Sequence, residues 1–322
     1  MDASSFLSDS FLGQPAWIWL IFVGVVVALL ALDLGLFHKS ARKPKAAESL
    51  LGTLFYVGVA GLFGLFLWQQ MGAQKALEYF TGYVIEQSLS LDNIFVISLI
   101  FSALSIPSQH QHRVLFWGVI SVLVLRGLMI GIGSALIAHF TWVLALFGVF
   151  LVITGIRMLF GAGHDEDMGN NRILQWLRKH MRITKEMHGK KFFITAPVRG
   201  KPVLWATPLM VALIMVEIAD IVFAVDSIPA VFAVTRDPYI VYTSNIFAIL
   251  GLRTLYFALE AMVTRFHLLS KALAVVLMFI GGKICYAHFT GNDIPIEYSL
   301  GAVLAILLAG VGLSLVIEEK KA

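Results

Sequence analysis

The stretch Glu217-Ile-Ala-Asp220-Ile-Val-Phe-Ala-Val-Asp226-Ser227-Ile-Pro229 sets three carboxylates and a proline inside an apolar run from about Trp205 to Val234. A run of that length spans a bilayer. A charged side chain at the bilayer centre costs at least about 2.5–3.5 kcal/mol. Three in one helix point to a substrate or ion pathway. Pro229 has no N–H to return to the carbonyl of Val225, so a free carbonyl is expected beside Asp226. Broken backbone at membrane depth is tolerated only where it is buried in protein or lines a cavity.

The pattern recurs earlier in the chain. Glu86-Gln-Ser-Leu-Ser-Leu-Asp92-Asn93 lies inside the apolar run from about Thr81 to Ala103. Glu86 and Asp92 have the same spacing as Asp220 and Asp226, and a short polar residue, Asn93 or Ser227, follows each second aspartate. The similarity continues. Asp92 leads on to Val124-Leu125-Arg126-Gly127 and Asp226 to Gly251-Leu252-Arg253-Thr254; Thr154-Gly155-Ile156-Arg157 is matched by Ile280-Gly281-Gly282-Lys283. Each unit has three spans, so the second copy must insert upside down. Inverted repeats around a midplane site are a common transporter plan.

Composition agrees with a polytopic membrane protein. The 322 residues are 59% hydrophobic and only 14% charged, with a mean hydropathy of +0.85; soluble domains carry about 25% charged residues. Nine spans are expected, at roughly 16–37, 50–69, 80–104, 113–138, 141–160, 205–234, 241–264, 269–289 and 296–317. The expected organisation is two helices within 1–79, a first three-helix repeat at 80–160, a basic cytoplasmic loop at 161–203, a second repeat at 204–289, and a last helix with its tail at 290–322.

Positive charge orients the chain. Lys39, Arg42, Lys43 and Lys45 follow the first span, and nine Lys or Arg lie between Arg172 and Lys201. Both segments fall inside when the N-terminus is outside and the C-terminus cytoplasmic. The first 15 residues have no basic n-region, so no cleavable signal is expected. Within the long loop, Arg172–Ile183 suits an amphipathic helix on an anionic leaflet, or a loop whose charges enforce topology. His164-Asp165-Glu166-Asp167 reads as a solvated acidic turn.

Arg126 and Arg253 fall near the middle of their spans and should pair with carboxylates. Arg157 and Lys283 lie near span ends, where long side chains snorkel. Asp33, near the inner end of span one, reads as interfacial, as do His139 and His288 at outer ends. Five acids (Glu86, Asp92, Glu217, Asp220 and Asp226) against two deep arginines leave an excess of negative charge that invites protons or a cation. Carboxylate, amide, hydroxyl and carbonyl oxygens suit Mg²⁺, Ca²⁺ or Mn²⁺. At 100° per residue, Asp220 and Asp226 point about 120° apart. One shell using all five acids therefore needs unwound backbone or several converging helices. The single cysteine, Cys285, rules out an intrachain disulfide. The absence of Gly-x-Ser-x-Gly and of paired protease aspartates argues against an enzyme.

Glu86…Leu89-Ser-Leu-Asp92-Asn93 together with Glu217…Asp220…Phe-Ala-Val-Asp226-Ser227-Ile-Pro229-Ala resembles the TerC family of integral membrane proteins. Ala206-Thr207-Pro208-Leu209 and Thr243-Ser-Asn245-Ile-Phe-Ala-Ile-Leu-Gly-Leu-Arg253 resemble its Alx-like branch. The resemblance implies a bacterial inner-membrane protein of manganese export, within a wider group of cation and amino-acid exporters with inverted repeats. Some relatives are linked to membrane-protein assembly, which is the alternative expectation. The combined expectation is an all-α polytopic transporter exporting Mn²⁺ in exchange for protons. It has no resident cofactor, and its partners are the bilayer, the ion and protons rather than nucleic acid. Asp92 and Asp226 are expected as primary ligands, with Asn93 and Ser227; Glu86, Glu217 and Asp220 complete the shell or carry protons; Arg126 and Arg253 compensate charge.

Overall fold

The structure, a computed structural model, describes residues 10–11, 13–37, 46–140, 142–160, 172–184, 186–198, 201–259, 268–292 and 294–316. Ten helices run through them: α1 Ala16–Phe37, α2 Ala46–Met71, α3 Ala73–Ala103, α4 Ser108–His139, α5 Trp142–Phe160, α6 Arg172–His180, α7 Pro208–Phe232, α8 Pro238–Leu259, α9 Leu269–Thr290 and α10 Ile296–Val316. All but α6 are long and apolar enough to cross a membrane, so nine spans are present among the described residues. A bilayer core offers backbone groups no water, and helices satisfy their own.

The spans end where the sequence supplies stops. Pro107, in extended conformation, precedes α4. Pro208 and Pro238 open α7 and α8, where a missing N–H costs nothing. The Asp237 carboxylate accepts from the backbone N–H of Tyr239 at 3.0 Å, capping α8. Gly291, at φ +71°, closes α9 in the left-handed conformation that favours glycine.

The central element is α8. Of its span, 83% is buried, against 22% for α5 and α10, which therefore face lipid. α8 packs against α2, α3 and α4; α7 packs against α3, α4 and α5; α5 lies along α9. The last pair approaches at backbone distance. A Cβ on Gly281 would stand 2.9 Å from the Val152 amide nitrogen, and one on Gly155 would stand 2.6 Å from the Ala274 carbonyl. Small residues at such crossings let lipid-embedded helices touch.

Three features differ from expectation. α7 runs unbroken through Pro229, with the Ala233 N–H donating to the Pro229 carbonyl at 3.0 Å. The proline removes one donor without unwinding the helix, so convergence of helices must build any site. The segment 161–203 is not only loop: strands β3 (Phe193–Val198) and β4 (Lys201–Ala206) form an antiparallel hairpin. Two two-residue strands, β1 (Ser10–Phe11) and β2 (Gln14–Pro15), also pair near the N-terminus. Finally, α6 does bury an apolar face, but against protein. Leu174 and Leu177 are buried in the cluster that holds Ile100, Val211 and Met215, while Trp176 stays exposed. The basic run 38–45 and the acidic turn 164–167 lie outside the described residues.

Candidate functional site

Arg126, in the middle of α4, is completely buried. A guanidinium there must fill its donors from neighbouring helices. Its Nε donates to Asp220 Oδ2 at 3.2 Å and its Nη2 to Asp220 Oδ1 at 2.9 Å, a bidentate pair with α7. Its Nη1 meets Glu86 Oε1 of α3 in an ion pair, and also Ser227 Oγ at 3.1 Å and Asn245 Oδ1 of α8 at 3.0 Å. Asp220 and Ser227 are two turns apart on α7 and so share a face. One residue thus ties together α3, α4, α7 and α8. Two carboxylates thus face one guanidinium in the core.

Polar groups around this centre are incompletely used. Glu86 Oε2, Ser90 Oγ and Asn245 Nδ2 are buried with no hydrogen-bond partner among the described residues. Native interiors leave few such groups, and each needs an explanation. Beside the centre lies a cavity of about 30 Å³, walled mostly by aliphatic side chains such as Leu115, Val122 and Ile249, with Asn93, Asp220 and Arg253 at its edge. That is room for about two water molecules. Asn93 Oδ1 is buried and unpartnered among the described residues. Glu217 sits one turn before Asp220 and approaches the α4 backbone at Gly118. The Ser121 hydroxyl, which donates to the Trp117 carbonyl at 3.1 Å, lies beside the Glu217 carboxylate.

Asp226 belongs to a different neighbourhood. Successive residues on a helix diverge by about 100°, and while Ser227 faces Arg126, Asp226 accepts from Thr154 Oγ1 of α5 at 3.3 Å. The expected partnership of Asp226 with Ser227 in one shell is therefore not seen in this conformation. Asp92 lies on α3, but its side chain is outside the described ones. Among the described residues, no three His, Cys, Asp or Glu side chains stand close enough to hold a metal ion.

Arg253 forms an ion pair with Asp33 of α1, and Tyr56 of α2 donates to the same carboxylate at 3.4 Å. Asp33, near the inner end of α1, is buried against protein. Arg157 is exposed near the end of α5 as expected, whereas Lys283 is buried. Sequence reasoning missed Asp33, Thr154 and Asn245 as partners. Asn245 carried a signal, being an amide in an apolar span; Thr154 and Asp33 became visible only with the packing.

At the ends of the helices that the sequence places outside, a larger polar cavity of about 500 Å³ opens between α3, α5, α9 and the α7–α8 turn. Lys75, Glu78, Arg236, Asp237, Lys283 and His288 line it. Both its acids are engaged: Glu78 by Lys75 at 2.8 Å and by the Thr235 hydroxyl, and Asp237 by Gln14 at 3.2 Å. Phe232, at the end of α7, forms part of its wall.

Residues 71–322 match the model of the integral membrane protein TerC family. A membrane protein of Rickettsia bellii is 45% identical over 298 residues, covering 92% of this chain and 97% of its own. A membrane protein of Myxococcus xanthus is 44% identical over 304 residues, covering 94% and 93%. The Escherichia coli protein provisionally named membrane-bound redox modulator Alx is 44% identical over 305 residues, covering 92% and 93%. No solved structure matches the chain.

Proposed function

Because this chain belongs to the TerC family of integral membrane proteins, we propose that it is a transporter of the bacterial inner membrane that exports Mn²⁺ in exchange for protons. The carrying observation is the buried centre at Arg126. There a guanidinium faces two carboxylates, beside a small, mostly apolar cavity into whose wall the unpartnered Asn93 amide is set. Structural ion pairs have no need of an excess carboxylate. Mn²⁺ takes oxygen ligands, and its entry to the bilayer centre requires compensating negative charge.

In this reading the path follows α7. Glu217, Asp220 and Asn93, with Asp92 on the same face-to-face helix pair, receive the ion from the inner side. Asp226 stands about 9 Å along the helix axis from Phe232 at the vestibule, six residues at 1.5 Å each. Held only by Thr154 among the described side chains, it is placed to pass the ion or a proton outward. Ser227 and Glu86 hold Arg126. Arg253 is neutralised by Asp33. The exchange of partners, α3 with α8 and α4 with α7, and the pairing of α5 with α9, support two inverted units.

Manganese flux into proteoliposomes, followed with an enclosed metal-quenched dye, tests the proposal. Wild-type protein should carry Mn²⁺, and Asp226→Asn should insert and fold yet lose flux by about tenfold or more, the scale of one transport step losing its charged ligand. Wild-type flux from the folded variant would remove Asp226 from the path. A second reading has its own observation. Both deep arginines are used in ion pairs between helices, which suits a non-transporting assembly or stress-response factor. Absence of flux from folded wild-type protein selects that reading.

A further inference from the structure

We propose that the hairpin of β3 and β4 is a lipid-docking element. Its exposed apolar face lies on the anionic leaflet beside the root of α7, with the surrounding basic side chains on the headgroups. The proposal concerns how the chain sits in its membrane and does not depend on whether it carries Mn²⁺.

The hairpin is apolar yet stands off from the core. Among the described residues, none from Phe193 to Trp205 belongs to the buried apolar clusters or packs against them, although Phe192 does. Its two faces differ. Phe193, Thr195 and Pro197 of β3 are exposed, as are Pro202 and Leu204 of β4, Leu204 by 61%. The alternate residues Ile194, Ala196, Val203 and Trp205 are half-buried. The register sets Thr195 opposite Leu204 and Pro197 opposite Pro202, so the exposed residues share one face. Two strands alone are only marginally stable in water, and this pair turns a phenylalanine, a leucine and two prolines outward. Such a patch marks a contact surface.

Three features select lipid as its cover. The first is position. The Ala206 carbonyl accepts from the Thr184 N–H at 2.9 Å, and the Ala206 N–H donates to the Arg182 carbonyl at 2.8 Å. The Thr207 hydroxyl donates to the Lys191 carbonyl at 2.7 Å, and the Arg113 guanidinium of α4 lies 5.2 Å above the Phe192 ring. This fixed root precedes Pro208, where the membrane span of α7 begins, so the hairpin starts at the level where the chain enters the bilayer. The second is charge. From Arg172 to Ala206 the sequence has nine Lys or Arg and one acid, Glu186. Arg178, Lys179, Lys190 and Lys191 are exposed. Basic segments beside a span are drawn to an anionic leaflet. The third is the prolines. A second copy or a peptide would extend the hairpin through backbone N–H groups at its free edges, and Pro197 and Pro202 have none to give. The side-chain face remains, and lipid needs no backbone donor. Because β4 runs into α7, docking also steadies the end of the helix that carries Glu217, Asp220 and Asp226.

The test places one reporter on the exposed face. Full-length protein carrying Cys285→Ala and Leu204→Cys is labelled with an environment-sensitive fluorophore. It is placed in nanodiscs of phosphatidylglycerol mixed with phosphatidylcholine, or of phosphatidylcholine alone. Brominated acyl chains quench only a label that reaches them, and aqueous iodide only a label in water. In the anionic discs bromolipid should quench the label and iodide should not. In neutral discs, or after Lys190→Gln with Lys191→Gln, the ratio of docked to free hairpin should fall about tenfold or more, on a scale of about fivefold for each basic residue at an anionic surface. Thr195→Cys, across the ladder on the same face, should report as Leu204→Cys does, and it takes its place should Leu204→Cys fail to fold. Val203→Cys, on the other face, should be quenched less by bromolipid. Quenching by iodide and not by bromolipid in the anionic discs overturns the proposal. Equal docking in anionic and neutral discs also overturns it, since the basic residues would then play no part. Protection from both quenchers overturns it as well and gives the face to protein, to a second copy where the particle has the mass of a dimer. None of these readouts requires Mn²⁺ flux, so this proposal and the transport reading fail separately.

Discussion

Asp33 and Arg253 show how a single buried side chain takes its meaning from a partner far away in sequence. The two meet between α1 and α8, with Tyr56 donating to the same carboxylate. Removing one partner of a buried pair costs about 3–5 kcal/mol. Asp33→Asn is therefore expected to lower the melting temperature in detergent sharply, while Asp226→Asn, whose carboxylate has one hydroxyl partner among the described side chains, should melt close to wild type. Equal melting of Asp33→Asn and wild-type protein would show the pair to be incidental. At this scale the sequence was informative about which residues are unusual: five acids and two arginines in apolar spans can be found by inspection. Which acid meets which arginine was not legible, because pairing depends on helix rotation and contact across 33 to 253, 86 to 126 and 126 to 220. The partner of Asp33 was not legible because depth along a span does not reveal which face is turned to protein.

Among the elements, α5 and α9 make the most intimate contact, and glycine permits it. Gly281 and Gly282 are neighbours with opposite surroundings. A Cβ at Gly281 meets the Val152 backbone, whereas one at Gly282 meets nothing within 4 Å. Gly281→Val should cost about 1–3 kcal/mol by overpacking, read as reduced thermal stability, and Gly282→Val should behave like wild type. Similar behaviour of the two variants would mean that the helices separate without cost. The long apolar windows made all nine spans legible, because hydropathy alone decides whether a segment enters the bilayer. The hairpin of β3 and β4 was not legible, since each strand carries a proline, Pro197 and Pro202, which removes a ladder donor and argues against a strand. The amphipathic pattern of α6 was visible, but a pattern of apolar spacing cannot say whether lipid or protein covers it; here Ile100, Val211 and Met215 do.

For the whole molecule, sidedness is the property that gives the path a direction. The large polar cavity opens beside His288, and α6 with Trp176 lies at the opposite end of the bundle, following the span α5. In a Cys285→Ala background, His288→Cys should react with a membrane-impermeant maleimide on intact spheroplasts, and Trp176→Cys only after the membrane is opened. The reverse result would invert the orientation and turn an exporter into an importer.

The four-helix junction at Arg126 also sets an order on how the protein is made. Glu86 and Arg126 leave the ribosome in the first half of the chain, and as a pair they are electrically neutral. Asp220, Ser227 and Asn245 arrive only with α7 and α8. The pair of Glu86 and Arg126 can therefore form before the second half of the chain is made. The second half then brings both the acid that completes the junction, Asp220, and the arginine, Arg253, for which Asp33 has been waiting since α1.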